Sequence, residues 1–77
     1  MEDAWMISAA LREAGNLAQA QGDYQQAARL FAESGALSEQ QGLLNDLARA
    51  RYNQGTVAIL QGDHETGRAF LHRRNPP

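Results

Sequence analysis

Apolar and small residues recur along this chain at spacings of three and four, the signature of helices that each bury one face. Ile7, Leu11, Ala14, Gly15 and Ala18 keep that spacing and predict a first helix from about Asp3 to Ala20, with Asp3 as its N-cap. Gly22 ends it by supplying the left-handed conformation of a helix C-terminus. Asp23 caps the next helix, where a carboxylate can accept from the free amides of the first turn. That second helix carries Tyr24, Ala27, Ala28, Leu30, Phe31 and Ser34 and runs to about Gln40. Gly35 is a weak point in it, a place to bend or to end early. Gly42 is the next stop signal. A third helix begins near Leu43, carries Leu44, Leu47, Ala48, Gly55, Ala58 and Ile59, and stops at Gly62. Asp63 caps a short fourth helix with Phe70 and Leu71 on its apolar side, and Pro76 and Pro77 cannot continue a helix.

The pattern repeats. Gln21-Gly22-Asp23 recurs as Gln61-Gly62-Asp63 forty residues later, and each copy has a glycine seven residues upstream, Gly15 and Gly55. Ala18 and Ala58 also correspond. A fixed spacing of this length marks a repeat protein. Helices joined by two-residue turns fold back as antiparallel neighbours, so the expected fold is all-α with four helices in two helix–turn–helix repeats. Glycine in the middle of a helix is normally a loss. At Gly15 and Gly55 it implies close approach by a partner helix, helped by the small Ala18, Ala27 and Ala58.

Composition narrows the function. The 77 residues amount to one small domain and contain no cysteine, so neither a disulfide nor a thiolate metal site supports the core. The net charge of -2 gives no basic footprint for DNA or RNA. No apolar run is long enough to span a bilayer. Glu2 and Asp3 at the start do not have the basic-then-apolar order of a signal peptide, and a cytoplasmic protein is expected. His64 and His72 stand about two turns apart, too far to share a metal ion, and no metal or cofactor is expected. Ser8, Asp63 and His64 do not form a hydrolase set, because Asp63 is needed as a cap and Ser8 has no strained turn to expose it. An enzyme is not expected.

These residues resemble the tetratricopeptide repeat. The first copy supplies Leu11, Ala14, Gly15 and Ala18, then Gly22-Asp23-Tyr24, then Ala27, Phe31 and Ser34. The second matches in Gly55, Ala58, Gly62-Asp63, Gly67 and Leu71. It departs at Arg51, Gln54 and Arg74, where apolar or small residues are usual, and at His64, which replaces the tyrosine. The usual period is about thirty-four residues, so the spacing of forty is similar to the elongated form common in bacterial regulatory and signalling proteins. The resemblance implies one domain, 1–77, with repeat 1 at about 3–41, repeat 2 at about 43–73 and a frayed tail at 74–77.

It also implies a stack of helix pairs whose first helices line a concave face. That face would show Arg12, Asn16 and Gln19 from one copy and Arg49, Tyr52, Asn53, Thr56 and Leu60 from the other. The expected function is a protein or peptide interaction module, with Arg12, Asn16, Arg49, Tyr52 and Asn53 as partner-binding residues. Exposed tyrosine and arginine most often anchor interfaces, which puts Tyr52 and Arg49 first. Arg12, Asn16 and Asn53 are also similar to part of the carboxylate-gripping set of chaperone-binding members, although the third inner helix of that set has no counterpart here. A stack of two repeats without a polar cap leaves an apolar end face. Trp5, Met6 and Ile7 form one such cluster and Phe70 with Leu71 another, so a homodimer or a longer array is expected. The eroded second copy is the expected docking place. A regulatory or sensing segment of a larger bacterial regulator is the alternative reading.

Overall fold

The computed structural model describes residues 3–63, 65, 66, 68 and 69. Three α-helices run through them: α1 (Ala4–Ala20), α2 (Tyr24–Gln41) and α3 (Leu44–Leu60). Residues 65, 66, 68 and 69 are also helical, and the Asp63 carboxylate caps that stretch by accepting from the amide of Thr66 at 3.2 Å. The remainder of the expected fourth helix, with Phe70 and Leu71, lies outside the described residues, as do His64, Gly67, His72 and the tail 74–77. Among the described residues the fold is all-α, with three complete helices and the start of the helical stretch that Asp63 caps.

Each helix closes with the same turn. The amides of Gly22, Gly42 and Gly62 bond the carbonyls of Gln19, Glu39 and Ile59 at 3.0, 3.3 and 2.9 Å. The next amides, of Asp23, Leu43 and Asp63, reach the carbonyls of Ala18, Ser38 and Ala58, each at 2.8 Å. This double bond pattern satisfies carbonyls that a helix end leaves free, and it requires a left-handed residue at its bend. The three glycines supply it, with φ of +82°, +72° and +89°.

The turn thus recurs every twenty residues, once per helix, and so does what precedes it. Gly15, Gly35 and Gly55 stand seven residues before the turn glycines, with Ala18, Ser38 and Ala58 three residues further on; all six are buried. The forty-residue spacing is two of these steps. The half step was hidden in the sequence because Gly42 is followed by Leu43 and not by an aspartate.

The cap of α2 forms as expected, with Asp23 accepting from the amide of Gln26 at 3.2 Å. At α1 the expectation fails in part. Asp3 occupies the N-cap position, but its carboxylate makes no capping bond. Only its carbonyl serves the helix, taking the amide of Ile7 at 3.0 Å. Gly35 neither bends nor ends α2, which continues to Gln41.

The contacts between helices fix their directions. Ser8 meets Ser34 and Ser38, Gly15 meets Phe31, and Ala18 shares a cluster with Ala27. As one number rises the other falls, so α1 and α2 are antiparallel. Gly35 faces Ala50 and Gln54, and Glu39 pairs with Arg51 at 3.4 Å, which places α3 antiparallel to α2. Both outer helices pack on α2, and they meet each other only along a narrow strip. The Cα atoms span 36 × 34 × 13 Å, a single layer of helices.

The core is small. Ala18, Ala27, Phe31 and Val57 form it, with Ala28 and Leu30 packed against it. A Cβ added at Gly15 would fall 2.6 Å from the Phe31 ring, so the glycine is where the ring sits. Next to this apolar contact, the fully buried Ser8, Ser34 and Ser38 form a closed hydrogen-bond set. Ser34 Oγ donates to the carbonyl of Ser8 at 3.0 Å. Ser8 Oγ lies 2.9 Å from Ser34 Oγ and 2.7 Å from Ser38 Oγ. One proton per hydroxyl satisfies all three if Ser38 donates to Ser8 and Ser8 donates to Ser34.

The apolar stripes are turned relative to expectation. On α1 the buried positions are Ala4, Ser8, Gly15 and Ala18, whereas Ile7 and Ala14 are exposed. On α3, Ala50 and Val57 are buried, while Leu44 is 75% exposed and Ile59 also faces outward. The line of contact explains the difference: α1 meets α2 through Ser8, Gly15 and Ala18, and the neighbouring Ile7 and Ala14 lie beside that line.

Two outcomes follow. Gly15→Ala should destabilise the protein by about 1–2 kcal/mol, since overpacking against a ring with no room to move outweighs the better helix propensity of alanine. Gly35→Ala should be neutral or stabilising by up to about 1 kcal/mol, because its Cβ would meet Ala50 at an ordinary 3.4 Å. Urea unfolding of the two variants compares them directly, and equal signs would refute the packing assignment. Ser8→Ala should cost about 1–3 kcal/mol by stranding its partners, whereas alanine at all three serines should recover most of that loss.

Candidate functional site

Arg12 and Asn16 are one turn apart on α1, so both leave the helix on one side. Arg49, Tyr52 and Asn53 have the three- and four-residue spacing that gathers them on one side of α3. Since α1 and α3 flank α2 and run in the same direction, these two sides face each other across a shallow hollow. Arg12, Asn16, Ala48, Arg49, Tyr52 and Asn53 line it, with a volume of about 390 Å³. The structure brings together all five residues that the sequence reading singled out for binding.

Three other residues expected on this face are absent from the lining. Gln19 is half-buried, Leu60 is exposed beyond the hollow, and the Thr56 hydroxyl is spent on the carbonyl of Tyr52 at 3.1 Å. Ala48 is an addition that the sequence reading placed only on the helix. It forms a small step in the α3 wall.

The lining residues differ in what they have free. Among the described residues, Asn16, Arg49, Tyr52 and Asn53 make no side-chain hydrogen bond or ion pair. Tyr52 is 51% exposed, so its ring offers both an apolar face and a hydroxyl to a visitor. Arg12 is different. Its Nη1 lies 3.9 Å from Asp46 Oδ1, an ion pair beyond hydrogen-bond reach, and that nitrogen is buried without a bonded partner. The sequence reading passed over Asp46. Its signal was an acidic residue in the first turn of α3, where the helix dipole favours a negative charge.

The departures of the second copy also have places in the structure. Arg51 reaches back to Glu39 on α2 at 3.4 Å, a partly exposed pair. Gln54 sits over Gly35 and buries its Oε1 without a partner among the described residues. Neither lines the hollow. Of the two, only Arg51 finds a polar partner on α2.

The N-terminal cluster is open. Trp5, Met6 and Ile7 are each more than half exposed, and Leu17 continues apolar surface along α1. Ser8 is buried among Ser34 and Ser38 and reaches no solvent. No helix among the described residues is long and apolar enough to cross a membrane.

A family model described as tetratricopeptide repeat matches residues 8–33 and again 48–73. The first match covers most of α1 and half of α2. The second begins in α3, and the two are offset by the forty residues of the sequence repeat. Repeats of this kind are in general protein–protein interaction modules and typically have no enzymatic role. No curated protein and no solved structure matches the chain. With two matches in phase across more than half its length, and with the helix ends, buried glycines and packed aromatic ring in the expected places, the chain belongs to the tetratricopeptide repeat family.

Proposed function

We propose that the chain is an interaction module that takes a peptide segment of a partner protein into the hollow between α1 and α3. What supports this most is the convergence of Arg12, Asn16, Arg49, Tyr52 and Asn53 on one surface, with four of those side chains unengaged among the described residues. Polar groups that hold no partner within the fold are free to hold one outside it. The helices beneath are tied by their own core, so the surface is presented without having to be ordered on binding. Tyr52 supplies the apolar area, and the arginine and asparagines supply donors around it.

Self-association through the free side of α1 belongs to the same proposal. Trp5, Met6 and Ile7 present apolar surface at the end of the layer where a further helix would stack. A second copy of the chain, or more of the array, would cover it.

Tyr52→Ala tests the binding surface. Peptides selected from a displayed random library against the intact protein should lose about tenfold or more in affinity for the variant. Its unfolding free energy should stay within about 0.5 kcal/mol of the parent, because the side chain lies outside the core. A variant that binds the selected peptides as well as the parent would refute the assignment. For the free side of α1, sedimentation equilibrium should show an associating species that Trp5→Ser together with Met6→Ser weakens; a monomer at all concentrations would rule the contact out.

A further inference from the structure

We infer that Arg49 is the cation through which the hollow reads its partner, that Asp46 withholds Arg12 from that role, and that the preferred partner segment carries internal side-chain carboxylates. This rests on the hollow being the binding surface, as proposed above.

The arginines can be sorted by what they already hold. Arg12 faces Asp46, Arg29 donates to Gln26 at 2.7 Å, and Arg51 pairs with Glu39. Among the described residues only Arg49 and Arg68 are without an ion pair or side-chain hydrogen bond, and of these two only Arg49 lines the hollow.

Arg12 looks equally suited in sequence, but its surroundings disqualify it. Its side chain is 16% exposed and Asp46 is 24% exposed, so two opposite charges face each other with little water between them. The Nη1 that points toward Asp46 is buried. Asp46 is itself held from two sides, by Arg12 and by the N-terminal end of α3. The charge of Arg12 is therefore met from within, and the hollow keeps one uncompensated positive charge on a chain whose net charge is -2.

That charge is set among donors. Asn53 is one turn beyond Arg49 on the same side of α3, and Asn16 lies across the hollow on α1. A carboxylate on the Arg49 fork has amide donors beside it, and the Tyr52 ring offers an apolar contact to the neighbouring residue of the same segment. An acidic side chain next to an apolar one matches this order of groups.

The test uses two blocked twelve-residue peptides, N-acetylated and C-amidated so that no terminal carboxylate is present. One repeats Ala-Glu-Glu-Leu, the other Ala-Gln-Gln-Leu. Binding to the full chain is followed by amide shifts in nuclear magnetic resonance and by fluorescence anisotropy at low salt. The glutamate peptide should bind about tenfold more tightly than the glutamine peptide, the usual worth of one charge-assisted hydrogen bond. Arg49→Gln should abolish that preference, and Arg12→Gln should leave it in place. Asp46→Asn, by releasing Arg12, should raise affinity for the glutamate peptide several-fold. Equal binding of both peptides to the parent would overturn the inference while leaving the hollow as the binding surface. Loss of the preference in Arg12→Gln but not in Arg49→Gln would reverse the assignment. If neither peptide shifted the resonances of the hollow, the binding-surface reading would fail and the inference with it. Circular dichroism of each variant separates a lost contact from a lost fold.

Discussion

The contact of the Phe31 ring with the bare backbone of Gly15 sets how closely α1 and α2 lie, and the rest of the structure is arranged around that distance. A core without bulk has to gain its stability from proximity. Among the described residues, the buried apolar side chains apart from Phe31 and Val57 are alanines. Alanine buries little area, so it contributes only where helices approach closely enough to leave no void. The serine set belongs to the same economy of space. Hydroxyls fit where larger side chains would not, and being mutually bonded they avoid the cost of buried polar groups without partners. Apolar contact near the turn and hydrogen bonding further along hold the two helices at one separation over most of their length.

The hollow depends on this core indirectly. Its two walls are α1 and α3, which touch each other little, and each is fixed through α2. The residues that line the hollow contribute almost nothing to holding it open. That division leaves Asn16, Arg49, Tyr52 and Asn53 unconstrained by folding. The exception is Arg12, whose pairing with Asp46 is the side-chain bridge between the two walls.

Much of this was legible in the sequence, and what was not has physical causes. Turn glycines and the aspartate caps at Asp23 and Asp63 are local features, decided by φ and by a few backbone amides, and they could be read from a few letters. Five of the six lining residues could be placed because helical spacing together with the family resemblance fixes which side of a helix faces inward. Side-chain burial was harder. Ile7, Leu44 and Ile59 look like core by hydrophobicity and are exposed, while Ser8 and Ser38 look like surface and are buried. Position on the line of contact between helices decides burial before polarity does. The twenty-residue step was obscured by Leu43, which replaces a capping aspartate while the glycine turn beside it is kept. Asp46 could not be weighed from the sequence at all, because its importance comes from an arginine on a helix that precedes it by one whole hairpin.

A single layer of helices, 13 Å through, has a mechanical consequence. Both outer helices pack on α2, so among the described residues α2 acts as the spacer between the two walls of the hollow. A bulkier residue on its α3 side, at Gly35 for example, would spread the walls without altering any group that lines the hollow. Calibre and chemistry can then change separately: the outer helices determine which groups line the hollow, and the middle helix determines how wide it is. A lineage could retune such a module for a thicker or thinner segment by substitutions that no inspection of the gripping surface would reveal.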